Sequence, residues 1–228
     1  EDRIPWVGAT GMGETRDDNQ AIQVHLGRII SAIDVTITRK ARIRVVVDGC
    51  RGAGSVLVPT LLRDIGCDVI EKDCVPDGDF TRPPEPTPSA LASLCAAVKR
   101  EKADVGFALD PDADRLALVD ETGTALSEEL TLVLVSDFVL ENCKGPLVSN
   151  LSSSGLLDRV AEKHGVPMHR TKIGEAHVTD QILKSGSPVG GEGNGGVIVP
   201  SCVPGRDAAT GAALLVERLA RESKSLST

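Results

Sequence analysis

Apolar residues along this chain fall into two rhythms that take turns. Short unbroken runs, such as Val45-Val-Val47 and Val105-Gly-Phe-Ala-Leu109, have the length of buried strands. Longer stretches with apolar residues three and four apart lie between them and read as helices. After an aperiodic opening rich in Gly, Thr and Asp, a helix is expected within residues 18–37. A strand at 44–48, a glycine turn at 49–54 and a helix at 55–65 follow, the last stopped by Gly66. Then come a strand at 68–71, a proline-rich loop at 75–88, a helix at 89–102 and strands at 105–109 and 116–119, with a turn at 121–123. The alternation then restarts: helix 128–141, strand 146–150, a serine cluster at 152–154 suited to cap a helix ending near Gly165, strand 167–171, helix 175–185, short strands near Val189 and at 197–199, and helix 207–222. This order predicts an α/β protein: two consecutive α/β layer domains with mixed sheets flanked by helices. The expected division is a connector and helix at 1–39, one domain at 40–124 and another at 125–228. No internal sequence repeat is evident.

Charge narrows the function classes. Acidic residues outnumber basic ones, 33 to 25, for a net charge of −8. That balance argues against binding nucleic acid or an anionic membrane surface. No apolar run has the length of a membrane span, and Glu1-Asp2-Arg3-Ile4 does not read as a signal peptide. Cysteines 50, 67, 74, 95, 143 and 202 form no Cys-x-x-Cys pair, so neither zinc nor a disulfide framework is expected. They read as reduced core residues of a cytoplasmic protein. With three Phe, one Trp and no Tyr, the core rests on Ala, Val, Leu and Ile, and stacking on bases is not expected.

The chemistry concentrates at Asp110-Pro-Asp112-Ala-Asp114-Arg115, between two apolar runs. In an extended segment alternate side chains share a side, so three carboxylates are expected to converge. Such a cluster is unfavourable without a cation, and hard oxygen ligands suit Mg²⁺. Arg115 adds a donor fork matched to phosphate. A calcium-binding EF-hand is the first alternative, but Arg115 stands where that loop needs glycine and the flanks are β-like. An aspartyl-phosphate phosphatase loop would place threonine where Asp114 stands. A solvated acidic turn is the plainest alternative.

Gly190-Gly-Glu192-Gly-Asn194-Gly-Gly196 packs five glycines among one acid and one amide. Backbone there can approach a ligand closely while the two side chains bind hydroxyls, although a hairpin turn has the same composition. Gly49, Gly52 and Gly54 lack the order of a phosphate-binding fingerprint and suggest tight packing. The histidines at 25, 164, 169 and 177 form no ligand pair, and His177 is expected at the surface.

These motifs together resemble the α-D-phosphohexomutase superfamily. Val45-Val-Val-Asp48-Gly49 through Gly54 is similar to the opening of its second domain, and Glu85-Pro-Thr-Pro88 to its proline-rich segment. Asp110 to Arg115 resembles its metal loop, D-G-D-G/A-D-R, with Pro111 in place of glycine. Gly191-Glu192-Gly193-Asn194-Gly-Gly196 resembles its third-domain sugar loop. Arg170-Thr-Lys172-Ile-Gly174 and Gly205-Arg206-Asp207 also fall where the family places similar segments.

The resemblance implies that Asp110, Asp112 and Asp114 hold Mg²⁺ and that Arg115 stabilises the transferring phosphoryl group. Glu192, Gly193 and Asn194 would grip the sugar. The partners implied are a hexose phosphate and its bisphosphate, with glucosamine phosphate favoured by the glycine and serine patterns. The family's phosphoserine motif, T-A-S-H-N-P, does not occur in these 228 residues, nor does the phosphate-clamp domain. The chain therefore reads as a fragment or a reduced relative, with no nucleophile of its own. The alternatives are a non-catalytic sugar-phosphate binding or regulatory module and the phosphatase.

Overall fold

The computed structural model describes residues 7–18, 20–222 and 225–227. The Glu1-to-Ile4 segment lies outside the described residues. Two helices, α1 (Ala21–Ser31) and α2 (Val35–Ala41), precede a sheet of β1 (Arg44–Asp48), β2 (Asp68–Lys72), β3 (Val105–Leu109) and β4 (Leu116–Asp120). Helices α3 (Gly54–Asp64) and α4 (Ala92–Glu101) make its crossovers. The strand order is β2-β1-β3-β4, parallel except for the antiparallel β3–β4 hairpin.

After α5 (Glu129–Asn142) the plan repeats. A second sheet comprises β5 (Leu147–Asn150), β6 (Met168–Thr171), β7 (Val189–Glu192) and β8 (Gly196–Ile198), with α6 (Leu156–His164) and α7 (Glu175–Ser185) as crossovers. Its order, β6-β5-β7-β8, and its single antiparallel pair copy the first sheet. Helix α8 (Ala208–Glu222) closes the chain. The chain is thus an α/β protein of two mixed four-stranded units, and the repeat that the sequence hides is plain in the topology.

Alternation along the central strands builds the layers. Val45, Val47, Val105, Phe107 and Leu109 face a core shared with α3, α5, α8 and the second sheet, whereas Val46 and Ala108 face α4. Both faces of these strands are buried, which is why they read as unbroken apolar runs. Helix α8 buries eleven of its fifteen residues in this shared layer, so the two units are packed together rather than strung apart. Gly165 and Gly186, at positive φ, end α6 and α7.

Asp137 on α5 staples this layer. It accepts from Lys163 (2.7 Å) and His164 (2.8 Å) and faces Arg218 at 3.3 Å. Burial raises its pKa, but those donors outweigh burial and hold the carboxyl below its ordinary range. A folded-state pKa below the unfolded value contributes stability above the unfolded pKa and loses it as pH falls through the folded one. Asp137→Asn is therefore expected to cost about 1–3 kcal/mol at neutral pH. The gap from the parent should close below about pH 4, as followed by urea unfolding.

Three expectations need correction. The single helix anticipated within 18–37 is two helices, because the Asp34 side chain accepts from the Thr36 and Ile37 N–H groups and starts a new one. The serine cluster does not cap α6 as a group. Only Ser154 Oγ accepts from a helix N–H, that of Leu156, while Ser152 and Ser153 turn back to Asn150. All six cysteines are free, but Cys143 is exposed rather than in the core.

Candidate functional site

The three aspartates do converge, though by a turn rather than by strand alternation. The Ala113 N–H donates to the Asp110 carbonyl, and Ala113 takes a left-handed φ of 59°. This reverses the chain between β3 and β4 and brings one carboxylate oxygen of each of Asp110, Asp112 and Asp114 within 4.8 Å of the others. The flanks are strands, which excludes the helix-loop-helix EF-hand. Burial, with Asp114 and Asp112 close by, pushes the Asp110 carboxyl up to about 7 despite the Arg115 N–H it accepts. Asp114 Oδ1 is buried without a hydrogen-bond partner, Arg115 Nε being 3.5 Å away. Crowded acids with an orphaned oxygen are what a hard cation satisfies, so these residues fit Mg²⁺.

The loop rests on the glycine turn after β1. Cys50 and Arg51 both have positive φ, and the Ala53 N–H donates to the Pro111 carbonyl at 2.7 Å. A Cβ on Gly52 would lie 2.7 Å from Pro111 Cα, and one on Gly54 2.6 Å from Ala113 Cβ. These glycines serve close packing against the loop. Beneath it, Arg82 is buried and joins Asp48 (3.3 Å) to the carbonyl of Leu109. Arg115 is steered by Glu85 at 3.2 Å, which gives the proline-rich segment a task.

The glycine-rich segment is a tight hairpin, not an open loop. Gly195 O accepts from the Leu116 N–H at 3.0 Å, so the tip of the β7–β8 hairpin abuts the exit of the Asp110–Asp114 loop. Glu192 is buried at 6 % exposure, with Oε1 accepting from Asn150 (2.7 Å) and the Gly174 N–H (3.2 Å) and Oε2 from Arg206 (2.8 Å). The Gly193 N–H is taken by Ser153 Oγ at 2.9 Å. Asn194 is half-buried, and its Oδ1 accepts from the Gly196 N–H at 3.2 Å. Arg206 bridges the two hairpins, pairing with Asp114 on one side and Glu192 on the other.

Residues 23–123 match the family described as phosphoglucomutase/phosphomannomutase, alpha/beta/alpha domain II, and residues 127–228 match alpha/beta/alpha domain III. The chain belongs to the phosphoglucomutase/phosphomannomutase family. A relative named phosphoglucomutase/phosphomannomutase from Thermococcus kodakarensis is 41% identical over 218 residues, 95% of this chain and 48% of its own length. A protein named "Probable phosphoglucosamine mutase" from Methanopyrus kandleri is 38% identical over 94% of this chain and 47% of its own length. The chain thus spans about half the length of these curated relatives. The crystal structure of a phosphoglucomutase/phosphomannomutase family protein from Burkholderia thailandensis superposes with a TM-score of 0.78 at 29% identity, covering 88% of this chain and 44% of that one.

Within this family member, the sequence reading missed how Glu192 is held. Nothing in the local sequence marks Asn150 and Ser153 as partners of the β7–β8 hairpin, or Glu175 as a partner of Arg206. Arg206 stood in a recognised segment, but its two-sided role was not visible. Arg170 donates to the carbonyls of Asn150, Ser153 and Ser154 and to Asp158, so it organises the 150–154 turn. His177 is exposed as expected, whereas His25 joins Asp207, the acid whose side chain accepts from the Ala209 and Thr210 N–H groups in the first turn of α8. A cavity of about 240 Å³ beside Asp112 is lined by His25 and Arg206. A cavity of about 580 Å³ elsewhere shares no residue with either hairpin. No helix among the described residues is long and apolar enough to cross a membrane.

Proposed function

We propose that this chain supplies the metal and sugar-binding parts of a phosphohexomutase that moves a phosphoryl group between the 6- and 1-positions of a hexose, glucosamine phosphate being the favoured substrate. In this reading residues 40–124 form the metal unit, residues 125–228 the sugar unit, and the protein works in the cytoplasm. The observation that carries it is the meeting of the Asp110–Asp114 cluster with the Glu192 hairpin through Arg206.

Mg²⁺ on Asp110, Asp112 and Asp114 would neutralise charge on the transferring group. Arg115, fixed between Glu85 and the aspartates, orients the phosphate oxygens. A carboxylate has about four lone-pair sites, and three protein donors use the Glu192 oxygens, so about one remains for a sugar hydroxyl. The Asn194 amide N–H groups supply the opposite polarity. Ser153 is no nucleophile: it is buried and hydrogen-bonded to Asn150, Ser149 and Gly193. Covalent transfer then depends on a phosphoserine domain outside these residues, and this chain alone should show no mutase turnover.

The isolated chain is expected to give a weak calorimetric Mg²⁺ heat that vanishes in Asp112→Asn. Asp112 is exposed, so the substitution should shift stability by no more than about 0.5 kcal/mol. An unchanged titration would remove the metal assignment. For the activity, this chain can be grafted in place of the matching segment of the Thermococcus kodakarensis relative and assayed on glucose, mannose and glucosamine 1- and 6-phosphates. Mg²⁺-dependent interconversion, lost in Asp112→Asn, is the expected result. A folded graft without turnover on any of them would overturn the proposal.

A further inference from the structure

We infer that Arg206 is a positioning residue that couples occupancy of the metal loop to the state of the sugar hairpin, because one guanidinium is shared between a carboxylate of each. The inference rests on the proposed assignment of the three aspartates as cation ligands. Nη2 of Arg206 pairs with Asp114 Oδ2, and Nη1 with Glu192 Oε2 at 2.8 Å. The backbone N–H donates to Glu175 Oε1 at 2.8 Å, while Nε, buried without a hydrogen bond, stands 3.5 Å from Glu175 Oε2. The side chain is 13 % exposed. Room for it is built into the hairpin, since any Cβ at Gly196 would collide with Arg206 Cδ.

Asp114 therefore has two claimants, the bound cation and Arg206. Like charges repel, so a divalent cation on Asp114 loosens the hold of Arg206 there and shifts it toward Glu192. Conversely, whatever occupies Glu192 changes how firmly Arg206 leans on Asp114. Binding couplings are reciprocal, so cation and sugar each alter the affinity for the other. Arg115 cannot perform this task. Its acidic partners Glu85, Asp110 and Asp114 all lie in the first unit, whereas Arg206 spans both.

A double-mutant cycle read by calorimetric Mg²⁺ titration tests this, using the parent chain, Arg206→Gln, Glu192→Gln and the pair. Arg206→Gln should tighten Mg²⁺ binding on the order of tenfold, by removing the competing cation. Glu192→Gln should weaken it severalfold when Arg206 is present and leave it nearly unchanged in the Arg206→Gln background. A direct effect of the Glu192 charge would be the same in both backgrounds, and that result overturns the inference. So does unchanged or weaker Mg²⁺ binding in Arg206→Gln. Should that variant not melt cooperatively, Arg206→Lys replaces it, because a single ammonium nitrogen must meet both carboxylates at one point, whereas the guanidinium reaches each with a separate nitrogen. The Glu192→Gln effect must then shrink at least threefold, and an undiminished effect sinks the coupling. Mg²⁺ binding that survives Asp112→Asn would instead discredit the metal assignment itself.

Discussion

Glu192→Ala is expected to lower the free energy of unfolding by about 3 kcal/mol, an injury to the fold before any to catalysis. The sequence suggests a side chain standing free in a glycine loop. The structure instead buries Glu192 and gives it three donors, from Asn150, Gly174 and Arg206. Removing the carboxylate leaves buried donors without an acceptor, and Arg206 keeps only its other acids, Asp114 and Glu175. Glu192→Gln preserves the shape and one acceptor oxygen, so it should cost less than half as much. Asn194→Ala loses a single contact of 3.2 Å and should cost under about 1 kcal/mol. In the grafted enzyme, however, Asn194→Ala should lower turnover by about tenfold to a hundredfold. Urea unfolding followed by circular dichroism separates the two residues. Equal stability of Glu192→Ala and the parent would contradict the wiring described for the hairpin.

Gly52→Ala should be nearly as damaging and should act on the metal site from outside it. The added methyl would press on the Pro111 backbone, which has no flexible end to swing aside. The Ala53-to-Pro111 hydrogen bond fixes the same approach, so the whole loop must shift. Overpacking of this kind costs about 1–3 kcal/mol. Because the turn at Ala113 aims all three carboxylates, a displaced loop should lose tenfold or more in Mg²⁺ affinity. Calorimetry beside a thermal melt measures both. Parent-like Mg²⁺ binding in a destabilised Gly52→Ala would mean that the loop keeps its shape without this support.

What could be read from the sequence was local. The Asp110–Arg115 cluster announces itself because its members lie within six residues and three acids at alternate positions suggest a cation. Strands such as Val105–Leu109 were legible because burial on both faces leaves an unbroken apolar run. The wiring of Glu192 was not legible. Asn150 is 42 residues away and Arg206 lies 92 residues from Asp114, and no local pattern encodes pairings that only the packed sheets create. The split between α1 and α2 hung on one aspartate, whose side chain competes for backbone donors in a way that apolar periodicity does not register.

Each unit runs through strand, helix, strand, helix and two final strands, and the Asp110–Asp114 loop and the Glu192–Asn194 tip both occupy the bend between the last two. The same architectural slot therefore carries three clustered carboxylates in one copy and a buried glutamate beside a half-buried amide in the other. Packing is assigned to the strands and chemistry to one interchangeable bend. The bend is not freely exchangeable, however: Gly195 has a φ of 90° and its carbonyl holds the Leu116 N–H, so position 194 is the one place in residues 193–195 where a side chain can change without crowding its neighbours.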